Sequence, residues 1–286
     1  MINIMKFRPL FFFISVALII ISVFSILKWG FRTSIDFAGG SVWEIVSPTT
    51  DSQGISKIFI DSGVSSVIVS RLPESRYLLK FENISQEKRV EIENKLKQND
   101  PEFNSLRFET LSPSLGKELL KKTIIAIILS SLTLLVFIGS RFKEYSFGIS
   151  AVLAMFHDSF ILIGAFSLLG HFFGAELDAL FVTAVLTTLS ASVHDTVVIF
   201  DRMRELRRNN YKTDWVELAN QAITETITRS INNSMTIIFM LFSLAVLGGD
   251  ITRWFAVALL IGAVLGTYSS TAVAIPLVLF WKKKKS

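Results

Sequence analysis

The sequence predicts an α-helical polytopic membrane protein, with six transmembrane helices and one α+β ferredoxin-like domain between the first and second. Three observations predict it. The chain is 51% hydrophobic and only 19% charged over 286 residues, with a mean hydropathy of +0.52, too apolar for a soluble domain of that size. Six apolar runs each reach the roughly 17 residues that a membrane-spanning helix needs. Between the first two runs, residues 28–122 return to the composition of a soluble domain.

Charge and cysteine content narrow the function classes. The net charge is +5. Its basic residues flank apolar runs and crowd the carboxyl end, as membrane anchors do, so nucleic acid is not the expected partner and lipid is. There are no cysteines, which excludes disulfides, thiolate metal sites and cysteine nucleophiles.

Taken in order, Met1 to Arg8 is short and basic, and Leu10 to Leu27 is the first span. That run exceeds the hydrophobic core of a cleaved signal, and no A-x-A site follows, so an uncleaved anchor is expected. Domain 28–122 opens with Ile35 to Val46, read as a strand interrupted by Gly39 and Gly40, with Asp36 beside them. A helix is expected over Asp51 to Asp61, where Ile55, Ile58 and Phe59 share a face. Val64 to Ser70 and Tyr77 to Phe81 form a hairpin around Pro73-Glu74-Ser75. Ser85 N-caps a helix to Gln98, and Leu106 to Leu111 is a last strand. The order β-α-β-β-α-β is the ferredoxin-like arrangement.

The remainder, 123–286, holds spans 2–6. These are Thr123 to Gly139, Phe147 to Leu169, Leu177 to Phe200, Ile231 to Gly248 and Trp254 to Trp281. They are joined by a basic loop at Arg141 and Lys143 and a polar cytoplasmic loop at 201–229, and closed by Lys282 to Lys285. The basic short segments all fall on one side, which places both termini in the cytoplasm and domain 28–122 outside.

The polar residues inside these spans are the functional candidates. An Asp at a helix centre costs about 2.5–3.5 kcal/mol on insertion scales, so such a residue is read as functional by default. Asp195 lies six residues before Asp201, about 9 Å inward at 1.5 Å per residue. Ser192, Ala191 and Thr188 share its face, and His194 and Thr196 adjoin it. Arg229 precedes the fifth span, followed by Asn232, Asn233, Ser234 and Thr236. The sixth span carries the band Thr267 to Thr271, including Ser270, just after Gly262-xxx-Gly266, a spacing that lets helices approach closely. Three helices thus bring polar groups to one depth. A carboxylate that exchanges a proton beside a guanidinium that cannot makes a switch. His157-Asp158 in the third span repeats the pattern of His194-Asp195, as a second proton site or as a pair pinning helices. Asp195 and Arg229 also admit the pinning reading.

Several chemistries are missing from the sequence. It contains no H-E-x-x-H, no GxxxxGK[ST] and no G-x-S-x-G. Ser190, His194 and Asp195 lie too close along one helix to form a Ser-His-Asp relay. An enzyme is not expected, nor a cofactor other than the proton as coupling ion.

At these residues the chain resembles the SecF family, the smaller subunits of the SecD–SecF protein-export complex within the RND superfamily. The matching stretches are Ile35-Asp36-Phe37-Ala38-Gly39-Gly40, the His157-Asp158 pair, Asp195 to Glu205, Thr228-Arg229-Ser230-Ile231-Asn232 and Gly266-Thr267-Tyr268-Ser269-Ser270. The family usually has Gly where Ser34 stands and often Asn where His194 stands. The resemblance implies that Asp195 and Arg229 match the family's proton-translocating pair. It implies that the proton-motive force promotes late translocation and release of preproteins from the SecY-E-G channel, across a bacterial plasma (inner) membrane. An RND-type bundle has two six-helix halves, and this chain supplies one, so SecD is the implied partner for the other. Two different functions stand beside this one: a structural or assembly subunit, and a small-solute RND-type exporter. The compact outer domain argues against the exporter.

Overall fold

The structure, a computed structural model, describes residues 3–65, 67–142 and 144–283. Met1, Ser66, Lys143, Lys284 and Lys285, which the sequence reading used, lie outside them. The chain divides into two compact units, Thr33–Ile124 and Met1–Arg32 with Ile125–Ser286.

The smaller unit is built on a four-stranded antiparallel sheet. Its elements are α2 (Ile35–Ala38), β1 (Gly40–Val46), α3 (Ser52–Asp61), β2 (Val67–Arg71), β3 (Arg76–Phe81), α4 (Gln86–Asn99) and β4 (Asn104–Leu111), with α1 (Arg8–Trp29) belonging to the other unit. The strand order is β2-β3-β1-β4. Strand β1 pairs antiparallel with β3, Trp43 facing Leu79, and with β4, Trp43 facing Phe108. Alternation along β1 and β3 sends Trp43, Ile45, Tyr77, Leu79 and Phe81 into one core, where Ile55 and Phe59 of α3 and Ile92 and Leu96 of α4 meet them. Both helices start on side-chain caps: Asp51 accepts from the Gly54 amide at 2.8 Å and Ser85 from the Lys88 amide at 3.3 Å.

One expectation here is corrected. Ile35 to Val46 is not a single strand. Ser34 accepts from the Asp36 amide at 3.1 Å and caps a one-turn helix, so Asp36 is helical. Gly39 ends that turn at φ +77°, and only Gly40 joins the sheet. A Cβ on Gly39 would stand 2.6 Å from the Pro113 backbone. The glycine pair therefore makes a backbone corner against Pro113.

The larger unit contains α1 (Arg8–Trp29), much of α5 (Pro113–Arg141), α6 (Tyr145–Phe173), α7 (Ala179–Asn209), α8 (Trp215–Leu247), α9 (Asp250–Ser269) and α10 (Ile275–Lys283). Among the described residues, six helices are long and apolar enough to cross a membrane. A π-helical turn over Ser270–Ala274 joins α9 to α10, two residues before Pro276, whose missing N–H leaves the preceding turn without its ordinary bond. The apolar windows of α6 and of the last span are 50% buried, and that of α7 is 44% buried, whereas those of α5 and α8 are 11% buried. The interior of the unit is thus α6, α7 and α9–α10, and α5 and α8 present apolar faces outward. Gly262 brings α9 against α7: a Cβ there would lie 2.1 Å from Thr188 Oγ1.

A second correction concerns residues 201–229. They are not a loop. Helix α7 runs on to Asn209 and α8 begins at Trp215, leaving a short turn between them. The charges that suggested a loop instead pair, Arg202 across the two extensions with Glu225 and along its own helix with Glu205 at 2.6 Å. Asp214 caps α8 by accepting from the Val216 amide at 3.0 Å. A polar helix laced by ion pairs and a polar loop have the same composition, and only the pairing separates them.

Candidate functional site

Three helices of the larger unit enclose a cavity of about 450 Å³. Helix α7 contributes Thr188, His194 and Asp195, α8 contributes Asn233 and Ser234, and α9 contributes Gly262 and Thr267. The absence of a side chain at Gly262 is what lets α9 close one wall. Asp195 is half-buried on this cavity. Ser230 Oγ donates to its Oδ2 at 3.0 Å. Opposite, Thr267 Oγ1 hydrogen-bonds Ser234 Oγ at 2.7 Å. The space is large enough for water, and although Ile237, Met240, Leu241 and Leu259 make most of its lining apolar, each of the three walls offers a polar group.

Arg229 is exposed and lines a different cavity of about 610 Å³, with Asp201, Arg202, Glu205 and Glu225. Asp195 and Arg229 are therefore not an ion pair in this structure. The residue next to Arg229, Ser230, is the one that touches the carboxylate.

A second carboxylate is buried deeper. Asp158 on α6 has no exposed surface. Its Oδ2 accepts from Ser192 Oγ of α7 at 2.7 Å and from Ser269 Oγ at the end of α9. His157 Nδ1 lies 2.9 Å from its Oδ1. Three helices are tied at this one side chain.

The residues singled out in the sequence thus separate into groups. His194 and Thr267 share the cavity of Asp195, while Ser192, placed on that same face by helical spacing, turns to Asp158 with His157. Thr196 donates to the Ser192 carbonyl at 3.0 Å and Ser270 to the Thr267 carbonyl at 3.1 Å, so both serve their own helix backbones. Asn232 is exposed, and its neighbours Asn233 and Ser234 line the cavity instead. Sequence reasoning placed Ser230 and Ser269 within polar stretches but gave neither a role of its own. The signal for Ser269 was present: Gly262, Gly266 and Ser269 are spaced i, i+4, i+7 and form one small-residue face.

The comparisons with known proteins agree with this architecture. Residues 91–284 match the model of the family described as protein export membrane protein SecD/SecF, C-terminal. The chain belongs to the SecD/SecF family. It is 37% identical to the protein translocase subunit SecF of Thermobaculum terrenum, over 99% of this chain and 95% of that protein. With the protein translocase subunit SecDF of Thermus thermophilus it shares 30% identity, over 90% of this chain and 35% of that protein. The crystal structure of a Thermus SecDF, described as a translocon-associated membrane protein, superposes with a TM-score of 0.87 at 28% identity. That match covers 99% of this chain and 39% of the SecDF chain, so this chain spans well under half of that protein. The chain is a SecF-like protein translocase subunit and a multi-pass membrane protein.

Proposed function

We propose that this SecF-like subunit couples the proton-motive force to late preprotein translocation and release, with Asp195 as the proton-carrying group and Arg229 as its electrostatic counterpart. The observation that carries the proposal is the placement of Asp195. A membrane-helix carboxylate that faces a largely apolar cavity of three helices, with Asn233, Ser234 and Thr267 on its other walls, and holds one described hydrogen bond, from Ser230, is accessible and incompletely satisfied. Protonation weakens that contact, and deprotonation draws Arg229, midway along α8, toward Asp195 on α7.

The wider setting belongs to the same proposal. SecD supplies the second six-helix half, and the length relation to the Thermus SecDF supports this. The apolar faces of α5 and α8 are the surfaces left for it. The SecY-E-G channel and preproteins are the further partners, the setting is a bacterial plasma membrane, and both termini are cytoplasmic. The smaller unit, roughly 28–122, acts outside as a ferredoxin-like domain. Its β-α-β-β-α-β order and the antiparallel order β2-β3-β1-β4 support that reading. The proton is the only coupling species, and no enzymatic step is assigned.

A second reading has its own observation. The bond from Ser230 to Asp195 bridges α7 and α8, as a structural pin does. Secretion driven by the proton-motive force separates the two, measured with Asp195→Asn and Arg229→Lys in correctly assembled complexes. Loss of stimulation with assembly intact is expected. Retained stimulation in both variants sinks the relay, and loss of assembly favours the pin.

A further inference from the structure

On another face of the larger unit, α1, α6 and the π-turn with α10 frame a groove of about 640 Å³. Its walls are apolar, with Phe12 and Val16 on α1, Leu153 on α6 and Val273 and Leu277 opposite. Its mouth is not. Arg8 at the start of α1 and Lys283 at the end of α10 both border it and both are exposed. Among the described residues lining the groove there is no carboxylate. The neighbouring Lys282 is engaged by Glu144, which leaves Arg8 and Lys283, among the described residues, as the cations lining the opening.

We propose that this groove binds an anionic phospholipid from the leaflet at the Arg8–Lys283 end. The headgroup phosphate sits between the two cations and one acyl chain lies along the groove. Length supports this occupant. The ten steps from Pro9 to Ile19 rise about 15 Å, which is half of a hydrocarbon core of about 30 Å and so one leaflet. Charge supports it as well, because basic pockets between membrane helices near the interface select anionic headgroups. A partner helix needs no pair of cations at one end and no carboxylate-free rim.

The floor of the groove gives the lipid a consequence. His157 lines it, with its side chain 7% exposed. Its Nδ1 is engaged with Asp158, while its Nε2 is buried and, among the described residues, without a hydrogen-bond partner. An acyl chain laid over His157 adds an apolar layer outside that already buried nitrogen and the Asp158 cluster behind it. The lipid is then the seal on one side of the helix junction.

The test uses the full chain, purified with its partner subunit in mild detergent and titrated with phosphatidylglycerol or phosphatidylcholine under native mass spectrometry. Wild type is expected to hold phosphatidylglycerol about thirtyfold more tightly. Arg8→Gln and Lys283→Gln each cost about fivefold and together remove the preference. Leu153→Trp, which fills the groove, lowers retention of both lipids. Equal retention of the two headgroups by wild type overturns the proposal, as does an undiminished preference in the double variant. If Leu153→Trp expels the partner subunit while lipid retention stays unchanged, the groove belongs to a protein helix and the proposal fails.

Discussion

Ser230 Oγ donates a hydrogen bond to Asp195 Oδ2 at 3.0 Å, which sets the register of α8 against α7 and holds Arg229 one residue from the carboxylate without joining them. Hydrogen bonds between membrane helices average about 0.6 kcal/mol, or about threefold in an equilibrium. Ser230→Ala is therefore expected to lower stimulated export two- to threefold and leave assembly intact. Asp195→Asn is expected to abolish the stimulation. Export by inverted vesicles with and without an imposed proton gradient compares the two. Equal losses in both variants would assign the carboxylate a structural role.

Asp158 behaves differently because it is enclosed. Replacing it with Ala removes the shared partner of Ser192, Ser269 and His157, and each buried group left unpaired costs about 1–3 kcal/mol. Asp158→Ala is expected to destabilise the bundle by at least about 3 kcal/mol, seen as a lower melting temperature in detergent. Asp158→Asn keeps an acceptor oxygen and is expected to lose less than half as much. A melting temperature unchanged by Asp158→Ala would show that the three contacts contribute nothing to holding α6, α7 and α9 together.

The contact of Gly262 with Thr188 sets up a rescue. A methyl on Gly262 meets Thr188 Oγ1 at 2.1 Å and Cβ at 3.0 Å, so Gly262→Ala drives α9 off α7 at about 1–3 kcal/mol. Thr188 Oγ1 has no hydrogen-bond partner among the described residues, so removing it sacrifices little. Thr188→Ala is expected to be nearly neutral, and the double variant to recover most of the loss. Thermal melts of the four proteins form the cycle. Simple additivity would mean that the two residues do not meet.

How much of this was legible beforehand follows from what each signal depends on. The six spans follow from length and apolarity alone, and the alternating strands around Trp43 follow from period-two burial. The Gly262-xxx-Gly266 contact was legible because small residues at i, i+4 have one main use in a membrane. The division of polar residues between Asp195 and Asp158 was not. Ser192 shares a helical face with Asp195, but a face about 100° wide borders two neighbouring helices, and which hydroxyl goes to which carboxylate depends on how α6 and α9 are rotated. The one-turn helix at Asp36 was hidden for a similar reason. Its cap at Ser34 and its break at Gly39 are local, yet Ile35-Asp36-Phe37 also alternates as a strand does.

Asp100 gives the smaller unit a pH dependence whose sign can be worked out. The residue is fully buried after α4. Burial acts to raise its pKa, but it accepts from Ser47 Oγ at 2.6 Å, from the Thr49 amide at 3.0 Å and from the Glu102 amide at 3.0 Å. These bonds outweigh burial and hold the carboxyl below its ordinary value. A depressed folded pKa means that the unfolded chain takes up the proton first. The stabilisation is therefore complete above the unfolded value of about 3.9 and is lost as pH falls from there through the folded value. Hydrogen exchange over 40–111, corrected for intrinsic rates, is expected to hold steady from pH 7 to pH 5 and to accelerate below about pH 4. Asp100→Asn removes the titrating group, so its exchange is expected to be faster at pH 7 and to change less on acidification. An acid response as steep in Asp100→Asn as in the wild type would place the sensitivity on another carboxylate.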